Sequence, residues 1–120
     1  MASSSTWLPS ASRTTLQTSP DLPTLGFRNL TVTLDVTDVA ASPTLTLTIK
    51  GKDVASGKYR TLLAGAAVTT AVTNVYRVTQ NVVAAAANAS AIDVLPEFIQ
   101  ISIAVGGAQA GTYSVGYDLS

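Results

Sequence analysis

The sequence predicts an all-β protein: an antiparallel two-layer β-sandwich, jelly-roll or immunoglobulin-like, with about six to eight strands and an extended N-terminal arm. Leu, Val and Ile alternate strictly with Thr and charged residues over 30–37 and again over 45–50. This period of two is typical of strands with one buried and one exposed face. Gly- and Pro-containing turns separate such segments, and the exposed faces argue against a buried parallel sheet.

Residues 1–12 form the predicted arm, and residues 13–120 the single sandwich domain. The arm is rich in Ser and has few charges, so little in its own sequence would make it fold alone. Trp7 is the only tryptophan, and the pair Leu8-Pro9 favours extended backbone. Trp7 and Leu8 are candidate anchors, either on another molecule (a neighbouring subunit or the surface of a larger partner) or on the arm's own domain. In the first case, the arm would be dispensable for stability.

The segments after the arm are assigned by the same alternation. Four side chains on alternating positions are expected to meet between the sheets, namely Leu34, Leu47, Ile101 and Val115. The predicted strands cover residues 13–18, 27–37, 44–50, 58–63, 75–79, 97–105 and 112–119.

Two connections have distinctive sequences. In the turn at 51–58, Asp53 can bind downstream amides, and Gly57 is expected to have a positive φ. The segment 81–91 contains four consecutive alanines, but Asn, Ser and two valines weaken a helix there. We expect a loop with at most one helical turn.

Composition excludes several functions. The 120 residues make one domain, which can bury roughly two thirds of its unfolded surface. Seven basic and seven acidic side chains cancel, so no long-range field attracts nucleic acid or an anionic membrane. The chain has no His and no Cys, which removes the commonest general base and thiolate metal ligands. We therefore expect no enzyme activity, no cofactor and no metal.

Two groups of side chains are candidates for binding. Lys50, Lys52, Lys58 and Arg60 surround the hairpin at 51–58, either as a contact patch for an acidic partner or as a solvated tip. The four tyrosines could form a sugar-stacking platform or the margin of the core. These are Tyr59, Tyr76, Tyr113 and Tyr117. The predicted partner contacts are Trp7, Leu8, Lys52, Lys58 and Arg60.

The central block LDVTDVAASPTLTLTIKGKDVASGKYRTLLAGAAV, residues 34–68, resembles small structural proteins of tailed bacteriophages. The most specific part of the resemblance is G-K-D-x-x-S-G-K-Y at 51–59, and VLP at 94–96 and TYSVGY at 112–117 are similar too. The resemblance implies a non-enzymatic component of the virion, assembled in the host cytoplasm.

Within that class, the resemblance and composition favour a capsid decoration (cement) protein on the outer surface of the head lattice. Its expected partners are the major capsid protein and copies of itself, for example as a trimer, with no nucleic acid and no membrane. The alternative is a tail, fibre or baseplate module that binds host-surface glycan. An exposed aromatic platform would favour this alternative.

Overall fold

The computed structural model describes residues 3–38, 44–80, 90–106 and 111–120, and it confirms the predicted all-β sandwich. The described residues form ten strands rather than six to eight, because the arm is itself a strand and three others have only two or three residues. The strands are β1 (Ser3–Arg13), β2 (Gln17–Thr18), β3 (Leu22–Pro23), β4 (Leu30–Asp38), β5 (Thr44–Lys52), β6 (Tyr59–Ala64), β7 (Val72–Thr79), β8 (Ser90–Ile92), β9 (Phe98–Gly106) and β10 (Gly111–Leu119).

The strands form two five-stranded sheets. Sheet A has the order β1-β10-β4-β7-β8, and sheet B has the order β2-β9-β5-β6, with β3 also paired to β9. All pairs between these described strands are antiparallel except the short β7–β8 pair. The alternating segments therefore do form a mainly antiparallel structure, as predicted.

The core lies between the sheets and is made of the apolar residues of the alternating segments. Leu34, Leu47, Ile101 and Val115 are fully buried, which confirms the predicted inward faces. Their neighbours in sequence, for example Thr33, point to the outer faces. Most of the core side chains are aliphatic, and the two buried rings are Tyr76 and Tyr113.

A β-bulge buries two adjacent leucines of β6. The register between β5 and β6 shifts between Ile49 and Lys50. Because a bulge adds one residue to one strand, Leu62 and Leu63 both reach the core. The bulge thus lets two neighbouring apolar residues face the core, while β5 and β6 stay paired on both sides of it.

The turn between β5 and β6 has the predicted chemistry. Gly57 has a φ of +73°, and its N–H donates to the Asp53 carbonyl at 2.7 Å. The Asp53 carboxylate accepts from the Ser56 hydroxyl at 2.7 Å and from the Ala55 amide at 3.4 Å. Of the predicted loop at 81–91, residues 81–89 lie outside the described residues, and Ala91 belongs to β8.

The predicted arm is the edge strand of sheet A in this structure. β1 pairs with β10 along its length, and it crosses the predicted boundary at residue 12 by running to Arg13. A bulge between Thr6 and Leu8 lets the adjacent Trp7 and Leu8 both pack against the core of their own domain. Trp7 and Leu8 therefore take the second of the two placements that the sequence allows.

Arg13 fixes the far end of β1. Its guanidinium donates to the carbonyls of Pro9 at 2.6 Å and Tyr113 at 2.7 Å. The same group lies 4.9 Å from the centre of the Tyr113 ring, within the range of a cation–π contact. These contacts hold the strand against β10 beyond a second bulge, between Leu8 and Ala11.

The two faces of β4 should respond differently to truncation. Leu34→Ala should lower the free energy of unfolding by about 2–5 kcal/mol, because it leaves a cavity in a fully buried site. The neighbouring Thr33→Ala should change it by less than about 0.5 kcal/mol. Guanidinium titration of both variants checks this, and equal effects would mean that the register of β4 is wrong.

Removal of β1 should destabilise the domain. Deleting residues 1–13 exposes the edge of β10 and removes the contacts of Trp7 and Leu8 with the core. We expect a clear fall in Tm, and a partial fall for Trp7→Ala. Ser10→Ala, on an exposed site of the same strand, is the matched control. A deletion variant with the Tm of the full chain would instead support a dispensable arm.

Candidate interaction surfaces

The structure places the five predicted partner contacts in two separate regions. Trp7 and Leu8 lie on β1, at the edge of sheet A, and are half-buried against their own core. Lys52, Lys58 and Arg60 lie at the hairpin of β5 and β6 in sheet B. Contact of Trp7 and Leu8 with another chain stays a prediction.

The hairpin belongs to one end of the sandwich, which we call the pole surface. At this end β5 and β10 finish, and β4, β6 and β9 begin. The pole surface consists of residues 21–28, 53–60 and 92–97. Contacts between distant segments join these parts: the amide and hydroxyl of Thr24 donate to the carbonyls of Glu97 and Pro96, respectively.

Two ion pairs neutralise two of the four basic residues of the predicted patch. Lys52 Nζ lies 2.6 Å from Asp21 Oδ2, and Arg60 Nη1 lies 3.0 Å from Asp93 Oδ2. Tyr59 donates its hydroxyl proton to the other oxygen of Asp21. Lys58 is exposed and has no ion pair among the described residues. The pole therefore does not present a concentrated positive charge to an acidic partner.

These hydrogen bonds favour the charged forms of the paired groups. The bond from Lys52, followed by that from Tyr59, lowers the pKa of Asp21, and the bond to Asp21 raises the pKa of Lys52. Arg60 lowers the pKa of Asp93 in the same way. Asp21 and Asp93 come from connections far from the hairpin in sequence. The sequence offered no local signal that would pair them with Lys52 and Arg60.

A groove of about 660 Å³ lies in the part of the pole surface formed by residues 23–28 and 94–97. Its apolar walls include Phe27, Leu95 and Pro96, and its polar lining includes Arg28 and Glu97, which have opposite charges. Pro96 is held over β5 because Gly51 leaves it room: a Cβ at Gly51 would lie 2.7 Å from Pro96 Cγ.

Exposed large apolar side chains are concentrated at this pole. Of seven such residues in the described part of the chain, five lie here, namely Leu25, Val54, Tyr59, Ile92 and Val94. Leu16 and Val72 lie near the opposite end of the strands. Apolar side chains gathered on one surface indicate an interaction site more strongly than single scattered ones.

The four tyrosines do not form one platform. Tyr76 and Tyr113 are buried, and their burial raises the pKa of both hydroxyls. Tyr117 is half-buried against the core, and only Tyr59 is exposed. The core-margin interpretation is thus correct for three of them.

Residues 3–38, 44–80, 90–106 and 111–120 contain no group of three or more His, Cys, Asp or Glu side chains that could hold a metal ion. No helix in that part of the chain has the length and apolar character needed to cross a membrane.

Comparison with known proteins shows the fold. No protein-family model and no curated protein sequence matches the chain. The structure is similar to that of the SPBc2 prophage-derived protein YomS, with a TM-score of 0.56 and 13% identity, over 99% of this chain and 92% of that one. It is also similar to a chain in the structure of the infectious bursal disease virus Gx strain.

That second likeness has a TM-score of 0.57 and 12% identity, and it covers 99% of this chain and 32% of the viral chain. This chain therefore spans about a third of the length of the viral one. At such identities the likeness establishes a shared sandwich fold.

The Lys52–Asp21 pair should make stability depend on pH. The pKa of Asp21 is lower in the folded state than its ordinary value of 3.8, so its stabilising contribution is present above pH 3.8 and lost as the pH falls through the folded value. In thermal melts, Asp21→Asn should lower Tm at neutral pH, and this difference should shrink at more acidic pH.

Asp118→Asn is the matched control, because Asp118 is exposed and has no ion pair among the described residues. It should change Tm little at neutral pH. A Tm difference for Asp21→Asn that does not depend on pH would contradict the assignment of the ion pair.

Proposed function

We propose that the chain is a non-enzymatic structural protein of a bacteriophage virion, most concretely a decoration (cement) protein on the outer surface of the head. It binds the major capsid protein and copies of itself. The shared fold with a prophage-derived protein and with a viral chain supports the virion class, together with the resemblance of residues 34–68 to phage structural proteins.

The observation that carries the proposal is the outer face of sheet B. Over most of its length, β5 and β9 present short uncharged side chains there. The opposed pairs are Thr44 with Gly106, Thr46 with Ala104 and Thr48 with Ser102. The lysines of β5, Lys50 and Lys52, are confined to the end near the pole.

A face of this kind is well suited to being covered by a protein lattice. Burial of a charged side chain requires a costly loss of hydration unless it finds a partner. Thr, Ser and Ala avoid that cost, and they also lose less side-chain entropy than Lys or Glu when they are fixed. The hydroxyls can donate to and accept from polar groups of the covering surface. The corresponding face of sheet A is more charged, because it includes Asp35, Arg77 and Asp118.

The alternative function is a tail, fibre or baseplate module that binds glycan. Its favourable observation is Tyr59, an exposed ring beside Lys52 and Asp21 at the pole. Aromatic and charged groups together could stack on and hydrogen-bond to a sugar. The described structure offers a single exposed tyrosine for this purpose, so the decoration function has the stronger support.

A binding experiment with undecorated heads of the phage that encodes the chain tests the proposal. The wild-type chain should sediment with the heads. Thr46→Lys should reduce the bound amount about tenfold or more, because it places a charge in the middle of the proposed contact. Thr33→Lys, the same change on the outer face of sheet A, should bind like the wild type.

The copy number per virion, from quantitative mass spectrometry, provides an independent measure. A number comparable to that of the major capsid protein supports the head location. A number typical of a tail tip, or a wild-type chain that does not bind heads, would refute decoration and direct attention to glycan binding at Tyr59.

A further inference from the structure

The turn at the rim of the groove has an unusual residue at its tip. Leu25 and Gly26 have φ values of +56° and +78°, and the Phe27 amide donates to the Thr24 carbonyl at 2.9 Å. Two successive positive φ values in such a turn favour Asn, Asp or Gly at both positions. A leucine is strained in this conformation, because its Cβ crowds the backbone. Leu25 is the only non-glycine residue with a positive φ among those described.

The strain is maintained because the turn is firmly anchored. Thr24 is buried, its amide donates to the Glu97 carbonyl at 2.9 Å, and its hydroxyl donates to the Pro96 carbonyl at 2.7 Å. Directly after the turn, the Arg28 and Asn29 amides donate to the carbonyl of Ser120. The backbone of the turn is thus fixed on both sides, which sets the direction of the Leu25 Cα–Cβ bond.

The strain is not offset by packing within the chain. Leu25 is 68% exposed, more than any other large apolar side chain in the described structure. Residues held in a strained conformation cluster at functional positions, where the surroundings determine them. A strained, exposed and rigidly presented leucine has the properties of an anchor that enters a pocket of a partner.

The surroundings of Leu25 indicate what that partner is. Leu25 itself lines the groove of Phe27, Leu95 and Pro96, so an apolar projection and an apolar recess lie side by side. Arg28 and Glu97 line the same groove with opposite charges, and Lys52 and Arg60 are neutralised within the chain. A surface that carries both a projection and a recess, and both a positive and a negative side chain, can match a copy of itself related by a twofold axis.

We propose that two copies of the chain associate pole to pole, with Leu25 of each copy inserted into the groove of the other. The same axis brings Arg28 of one copy towards Glu97 of the other. Val94, which is 58% exposed beside the groove, extends the apolar contact. This inference adds to the proposed function the surface through which copies of the chain associate, and it does not rest on attachment to the head.

The size of the pole is sufficient for such a contact. The molecule measures 40 × 32 × 24 Å, and strands of about nine residues, roughly 30 Å long, account for the longest dimension together with their turns. The pole is then the face with sides of 32 and 24 Å. A face of those sides approaches the roughly 800 Å² that each partner contributes to a standard interface.

Sedimentation velocity of the full chain over a range of micromolar concentrations tests the proposal. The wild type should show a monomer–dimer equilibrium. Leu25→Asn should raise the dissociation constant about tenfold or more, because it removes the anchor while suiting the left-handed backbone. At concentrations where both proteins are monomeric, its Tm should be equal to or a few degrees above that of the wild type.

Two further variants make the result decisive. Leu16→Asn is the matched control: Leu16 is 60% exposed near the opposite end, and its replacement should leave the dimer intact. Val94→Ser should weaken the dimer through a second residue of the pole surface. A chain that stays monomeric at every concentration, a trimer, or a dimer that Leu25→Asn does not weaken would overturn the proposal. Since head binding is measured separately, these results leave the proposed attachment to the head standing.

Discussion

All parts of the molecule depend on the stacking of two sheets that each have one apolar face. β4 and β10 supply this face in sheet A, and β5 and β9 supply it in sheet B, with fully buried aliphatic side chains at alternate positions. Because the side-chain period is two, a slip of one residue in any of these strands would bring outward-facing side chains, such as Thr33, Thr46 or Ser102, into the core. The packing of this aliphatic layer determines which residues lie at the two ends of the sandwich and which lie on its two outer faces.

The parts of the fold that the sequence predicts are those set by local pattern. Strict alternation identified the strands that became β4, β5, β9 and β10, and the inward residues of each are buried as expected. The Asp53–Gly57 turn was also predictable, since a positive φ and an Asx interaction depend on residues only a few positions apart. Two pairs of adjacent apolar residues interrupt the alternation, and in this structure they coincide with β-bulges. Trp7-Leu8 and Leu62-Leu63 both lie at bulges, which bring neighbouring side chains to the same face.

The interaction surface was less predictable, because it is assembled from distant segments. Lys52 and Arg60 looked like a basic patch, yet their carboxylate partners are Asp21 and Asp93, from connections with no pattern of their own. The strain at Leu25 has a similar origin: the sequence Thr-Leu-Gly does not indicate a left-handed leucine. The backbone is held there by hydrogen bonds of Thr24 to residues more than seventy positions away, together with those of Arg28 and Asn29 to Ser120.

The outer face of sheet B and the pole surface differ in their chemistry, and they therefore suit different kinds of contact. The outer face of sheet B is uncharged over most of its length and rich in hydroxyls, so its burial needs little compensation. The pole has the opposite character, with a groove, a rigid apolar projection and charges of both signs. Specific pairing needs shape and charge complementarity, whereas extended coverage needs a low cost of desolvation. In the proposed assembly, the chain would associate with its own copies through the pole surface and lie against the lattice through sheet B. The two contacts would not compete, because they use different residues.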